Sequence, residues 1–224
     1  MIIIKKYIIF CLLVILGILF SLSLITVKLT ASKSSKSFMI YIDPGHGGFD
    51  GGCTSLDKEY KEKDITLEIS LLLSTYLRSS GYIVKLTRSQ DESLASTKKN
   101  DIYKRVDLIN NSGSNLYISI HANSFPSSIV KGAQVFYNSG NDNNKKIADI
   151  LTNKIQLIDS ENKRTALSIK NKYLLDNIKI PGCLIEVGFL TNEHDLANLI
   201  NKNYIYDFVK VLYIGIAEYL DYLK

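Results

Sequence analysis

The chain has 224 residues, 46% of them apolar, which is enough for one domain with a sizeable core and an appendage. Three of its five net positive charges come from Lys5, Lys6 and Lys28, which leaves +2 for everything beyond them. A nearly neutral domain without a basic stripe and interleaved aromatic rings excludes a nucleic-acid-binding surface, and no nucleic acid is expected as a partner.

Residues 7–27, YIIFCLLVILGILFSLSLITV, carry no charge. At 1.5 Å per residue they span about 31 Å, the hydrocarbon thickness of a bilayer. With Lys5 and Lys6 ahead of them, the positive-inside rule keeps the short N-terminus in the cytoplasm and exports the rest. Residues 1–30 are therefore expected to form an N-terminal transmembrane anchor. A cleaved signal, which would release the protein as a secreted form, is the alternative. The anchor is preferred because KLTAS at 28–32 matches a small-x-small cleavage site poorly. Residues 31–37, ASKSSKS, have the composition of a flexible linker, and 38–224 are expected to be the folded domain.

Within that domain apolar periods of 2 and 3.6 alternate. MIYID (39–43) reads as a strand followed by a glycine-rich loop, and 64–80 as a helix with Ile65, Ile69, Leu72 and Tyr76 and their neighbours Leu73 and Leu77 on one face, ended by Gly81. YIVKLT (82–87) is a strand, 89–100 a polar loop, 101–111 a helix, and LYISI (116–120) a continuous apolar strand. AQVFY (133–137) is a strand and 145–157 a helix. In the less regular stretch 160–177, Tyr173 to Leu175 reads as a short strand. CLIEV (183–187) is a strand, and helices at 193–200 and 204–223 close the chain. Alternating strands and helices predict an α/β layered domain with a mostly parallel central sheet. In such sheets functional groups gather beyond the carboxyl ends of the strands.

Three residues stand out at such positions: His46 just past the first strand, His121 ending LYISI, and Glu186 inside CLIEV. A carboxylate in an apolar strand is costly to bury unless it is paired, protonated or near a metal, or unless the strand has a solvated face. His121 alone would read as a core histidine bonded to backbone. Its pairing with His46, two of only three histidines, points instead to a metal, because imidazole is the commonest zinc ligand and a catalytic zinc takes three protein ligands. Asp43, Asp50, Glu59 and Glu62 are the acidic candidates for the third. Glu62 stands at a helix start, where a carboxylate is favoured electrostatically, although EYKEKD (59–64) also has the look of a solvated run. His194 reads as an exposed histidine without a task. Cys53 and Cys183 read as free thiols rather than a disulfide, and no nucleophile elbow is present.

IDPGHGG (42–48), EKD (62–64), SIHAN (119–123) and EVGFLTN (186–192), in this order, resemble the zinc-dependent N-acetylmuramoyl-L-alanine amidases of bacterial cell walls, and most of all their germination-specific spore-cortex branch. The resemblance runs from about residue 39 to 223. It implies a single α/β domain with a central sheet of about six strands. It also implies Zn2+ held by His46, Glu62 and His121, and Glu186 as the catalytic carboxylate; no substrate-binding residue is carried over. The implied reaction is hydrolysis of the amide between the lactyl group of N-acetylmuramic acid and L-alanine of the stem peptide, in peptidoglycan and during spore-cortex maturation. The expected location is the extracytoplasmic face of the membrane, including the intermembrane space of the forming spore, with a protein activator as a further partner. Two positions depart from the family pattern: Asp176, which bears on substrate preference, and Cys53, which bears on packing. The competing functions are a zinc peptidase acting within the stem peptide and a non-catalytic wall-binding scaffold.

Overall fold

The computed structural model describes residues 38–224. The apolar run at 7–27 and the linker at 31–37 lie outside the described residues. Among the described residues no helix is long and apolar enough to cross a membrane.

A six-stranded sheet forms the centre, with strand order β2-β1-β3-β6-β4-β5. The strands are β1 (Met39–Pro44), β2 (Ile83–Leu86), β3 (Leu116–Asn123), β4 (Gln134–Tyr137), β5 (Leu167–Ser168) and β6 (Gly182–Phe189). All neighbours run parallel except β4 and β6, which pair antiparallel, so the mostly parallel expectation holds with one reversal. The helices are α1 (Glu62–Ser79), α2 (Lys98–Asn110), α3 (Asp142–Ile155), the short α4 (Tyr173–Asn177), α5 (Glu193–Leu199) and α6 (Lys202–Tyr222).

Alternation along the strands sorts side chains between two cores. Ile40 and Ile42 of β1, Leu116, Ile118 and Ile120 of β3, and Cys183, Ile185 and Val187 of β6 pack in the larger core with α1, α3 and α6. Tyr41, Tyr117 and Leu184 occupy the opposite face with Val106 and Ile109 of α2 and Leu174 and Leu175 of α4. The strands are thus buried on both faces, which explains their near-continuous apolar runs. By the same alternation Asp43, Ser119, His121 and Glu186 fall on the second face, toward the strand carboxyl ends.

Connectivity places a crevice there. The chain leaves β1, returns through α1 to pair β2 on one side, and then crosses through α2 to pair β3 on the other side of β1. The two crossover helices lie on opposite faces, so the loops diverge between the carboxyl ends of β1 and β3, the kind of switch point where α/β sheets bind ligands.

Two local expectations need correction. Tyr173 to Leu175 is the first turn of α4 and not a strand: Leu174 and Leu175 are both buried, which adjacent residues of a strand with one covered face cannot be, whereas a helical turn puts both toward one apolar surface. Helix α1 begins at Glu62 rather than Asp64, and Glu62 and Asp64 both lie in its first turn, where the helix dipole favours negative charge. Gly182 is required by packing, because a Cβ there would overlap the ring and carbonyl of Tyr117 on β3.

Candidate functional site

The loop after β1 carries His46 in the left-handed region (φ 60°), followed by Gly47 (φ 132°) and Gly48 (φ 57°). Histidine tolerates that region better than bulky or branched residues, yet holding it there costs about 1–3 kcal/mol that surrounding contacts must offset. Gly45 lets the β3 side chain approach, since a Cβ at Gly45 would lie 2.5 to 2.7 Å from the His121 ring. His121 and His46 meet edge to face, with ring centroids 5.0 Å apart. A register shift in the β3–β6 pairing follows His121, as bulges beside functional sites commonly do.

Glu62 joins the two rings. Its Oε1 lies 2.9 Å from His121 Nδ1 and accepts from Ala122 N at 3.0 Å; its Oε2 lies 3.1 Å from His46 Nε2 and accepts from Cys53 N at 2.9 Å. The side chain is buried, which contradicts the solvated reading of EYKEKD. Burial alone would raise the Glu62 carboxyl pKa, but the two histidines outweigh it and hold it well below the usual range. His46 is raised in turn: burial opposes its charge, and Glu62 and Asp50 overcome that.

One donor atom from each of His46, Glu62 and His121 lies within 4.8 Å of the others. Ligands of a tetrahedral zinc bound at about 2.1 Å stand about 3.4 Å apart, so these donors fit such an ion in type and number and stand close enough for small side-chain movements to reach that spacing. His46 Nδ1 lies 2.8 Å from Asp50 Oδ2, the outer carboxylate that commonly fixes the tautomer of a metal-binding histidine. Asp50 is bound to Lys98 Nζ at 2.7 Å. Burial would raise its pKa, but Lys98 and His46 hold it down at about 2.

Of the other acidic candidates, Glu59 is exposed on the loop before α1, and Asp43 is fully buried but engaged elsewhere. Asp43 Oδ1 accepts from Arg105 Nη1 at 2.8 Å and Thr87 Oγ1 at 2.7 Å, and Oδ2 accepts from Ser119 Oγ at 2.8 Å. Burial would raise its pKa; Arg105 and the two hydroxyls outweigh it and lower it.

Glu186 is the register partner of His121 across the β3–β6 pair, so both project from the same face of neighbouring strands. Because β6 lies between β3 and β4, the edge-strand explanation for this carboxylate fails. Its Oε2 is sealed from solvent and has no hydrogen-bond partner among the described residues. Burial raises its pKa, and the charge of Glu62 adds to the rise against the opposing effect of His121.

These groups share a cleft of about 490 Å³. One wall is apolar, with Phe136, Ile169, Leu174, Leu175 and Leu184, and Lys172 stands at its rim. None of this wall was legible as site residues, because each position reads simply as core. Asp176, the departure noted from the family pattern, accepts from Asn138 Nδ2 at 2.7 Å. His194 is exposed, with Asp195 3.7 Å away. Both described cysteines are free: Cys183 is buried in the larger core, and Cys53 is half-buried in the cleft with its Sγ donating to the Ala122 carbonyl at 3.3 Å. Burial and the charge of Glu62 raise the Cys53 thiol pKa, which disqualifies it as a thiolate nucleophile.

The fold and the site define an α/β domain with a His–Glu–His group able to hold a metal, and a buried carboxylate beside it, at the switch point of its sheet. Residues 40–218 match the family of N-acetylmuramoyl-L-alanine amidases, and the chain belongs to that family, whose enzymes hydrolyse the amide between muramic acid and L-alanine in peptidoglycan. It is 39% identical over 189 residues to the germination-specific N-acetylmuramoyl-L-alanine amidase of Bacillus subtilis, covering 81% of this chain and 79% of that one. It is similar to the solved CwlD amidase of Clostridioides difficile in complex with the GerS lipoprotein, with a TM-score of 0.78 and 36% identity over 82% of this chain and 98% of that one. It is also similar to the amidase AmiC2 of Nostoc punctiforme, with a TM-score of 0.74 and 28% identity over 84% and 99% of the two chains.

The lowered pKa of Asp43 sets a pH dependence. A carboxylate depressed on folding contributes stability above its unfolded pKa of about 3.9, and that contribution is lost as pH falls through the lower folded value. Asp43→Asn should destabilise the domain at pH 7 by about 3–5 kcal/mol, the usual loss on breaking a buried pair. Urea unfolding between pH 7 and pH 3 should show the unaltered protein losing stability more steeply than the variant, whereas parallel curves would contradict this role for Asp43.

Proposed function

We propose that this chain is a zinc-dependent N-acetylmuramoyl-L-alanine amidase that cleaves peptidoglycan between the lactyl group of muramic acid and L-alanine, acting in spore-cortex maturation. The observation that carries the reading is the convergence of His46, Glu62 and His121 beside Glu186, His121 and Glu186 being register partners, in a single cleft. The cortex role is supported by the likeness to the germination-specific amidase of Bacillus subtilis.

In this proposal His46, Glu62 and His121 hold the metal. When bound, zinc supplies Lewis acidity, lowering the pKa of water toward neutrality and polarising a carbonyl. Glu62 offers a charged oxygen whose orientation is fixed by the backbone N–H groups of Cys53 and Ala122. Asp50 accepts from His46 Nδ1 and so keeps Nε2 free to act as a donor toward a metal. Glu186 takes the proton of the attacking water on a carboxylate oxygen and returns it to the L-alanine nitrogen as the amide bond breaks. Its raised pKa suits both halves of that transfer. The apolar wall of the cleft excludes water from the reacting bond, which strengthens the electrostatics inside.

The proposal extends to location and partner. Residues 7–27 anchor the protein, with the domain on the extracytoplasmic side of the membrane and, in a sporulating cell, between the two membranes of the forming spore. A protein partner is supported by the complex of the Clostridioides difficile relative with a lipoprotein.

Digestion of purified peptidoglycan followed by mass spectrometry should release stem peptides beginning with a free L-alanine amine and leave intact lactyl carboxylates on the glycan. Peptides cut internally would favour the zinc peptidase, and no cleavage at all would favour the wall-binding scaffold. Glu186→Gln should reduce the rate by roughly 10²- to 10⁴-fold. On cell fractionation the full-length chain should sediment with membranes; a soluble form beginning near Ala31 would show a cleaved signal instead.

A further inference from the structure

Two of the three donor residues, Glu62 and His121, sit on regular elements whose geometry is fixed by the helix and sheet. His46 does not. It sits in a loop with three successive positive φ values, closed from within by a backbone bridge between Gly47 and Asp50 and by the contact of Asp50 with the His46 ring.

From outside, its carbonyls are held chiefly by a pair of buried guanidinium groups, beside Thr66 Oγ1, which donates to the Gly45 carbonyl at 2.8 Å. Arg105, on α2, donates through Nη2 to the His46 carbonyl at 2.5 Å and through Nη1 to the Pro44 carbonyl at 2.6 Å. Its Nε is anchored on Asp101 at 2.6 Å, and its Nη1 also reaches Asp43. Arg88, just past β2, donates through Nη2 to the Gly45 carbonyl at 2.8 Å and through Nε to the Pro44 carbonyl at 3.2 Å. Three consecutive carbonyls, from the last residue of β1 to His46, are therefore held by two cations, 4% and 2% exposed, that come from outside the loop.

The segment between the two arginines closes over the loop. Asp91 accepts from Gly48 N at 2.7 Å and binds Lys63 Nζ at 2.6 Å, and that lysine also donates to the Gly48 carbonyl at 2.9 Å. The backbone of Glu92 and Ser93 lies so near Gly47 and Gly48 that any Cβ there would collide with it.

We propose that Arg105 and Arg88 are positioning residues for the metal: they preorganise His46 for coordination through its backbone. The inference rests on the zinc reading above. A loop held in one conformation before coordination binds a metal more tightly than one that must be ordered by it. Lysine at 105 could place one charge near Asp43 but could not span Asp101, Asp43 and two carbonyls as the planar fork does.

The test is zinc affinity of the purified full-length protein, measured by competition with a chelator, beside urea unfolding of the metal-free protein. Arg105→Lys should weaken zinc binding roughly 10- to 100-fold, the range typical of groups that orient metal ligands. Asp101→Asn, a gentler change that removes the anchoring charge and one of the two acceptors serving Leu94 N and Arg105 Nε, should weaken it by less and carries the same test where the lysine variant fails to fold. Ile150→Ala, a destabilising change in the core of α3, should leave the zinc affinity of the folded protein unchanged. Unaltered affinity in Arg105→Lys and Asp101→Asn, or an equal loss in Ile150→Ala, would overturn the inference while leaving the zinc reading intact. Failure of the unaltered protein to bind zinc would overturn the reading itself.

Discussion

The buried carboxylate of Glu62 ties the site together. Each of its oxygens meets one histidine and one backbone N–H, so a charge that would be expensive to enclose alone is satisfied on four sides. That one residue connects three separate pieces of chain: the first turn of α1, the glycine-rich loop after β1, and the end of β3. Gly52 makes the approach feasible, because a Cβ there would collide with Glu62 and with the His46 ring. The group is thus a structural clasp as well as a set of donors able to hold a metal.

The topology explains why the groups meet at all. The switch of direction between β1 and β3 opens a crevice at their carboxyl ends, with α1 on one face and α2 on the other. The start of α1 brings Glu62 in from the side of the larger core, while His121 and Glu186 project from the opposite face of β3 and β6. Asp43, beneath them on β1, links the sheet to α2 through Arg105, so the packing of α2 and the placing of the His46 loop are one problem. The antiparallel β4 and the short α4 complete the cleft with its apolar wall.

Much of this was legible in the residues. Histidines at two strand ends and a glutamate inside an apolar strand have few bland explanations, and the fold class follows from the alternating periods. Glu62 was not separable from Asp43, Asp50 and Glu59 by spacing, because contact with both histidine rings, which distinguishes it, depends on where the loop after β1 folds back. Resemblance to a family singled it out, and the fold buries it against both histidines. Arg105 was invisible for a related reason: Asp101 and Arg105 look like an ordinary solvated pair four residues apart on a helix, and only the tertiary fold turns that face inward against Asp43. The helical turn at Tyr173 was misread because three residues are too few to show a period.

The central claim is that Glu62 is a ligand and Glu186 is not, and zinc content separates them most directly. Glu62→Gln replaces a charged oxygen donor with a neutral amide, so the purified variant should retain far less than the roughly one zinc per chain expected of the unaltered protein. Glu186→Gln, measured in the same buffer, should retain its zinc in full. A Glu62→Gln protein that keeps its metal while Glu186→Gln loses it would reverse the two roles and contradict the account.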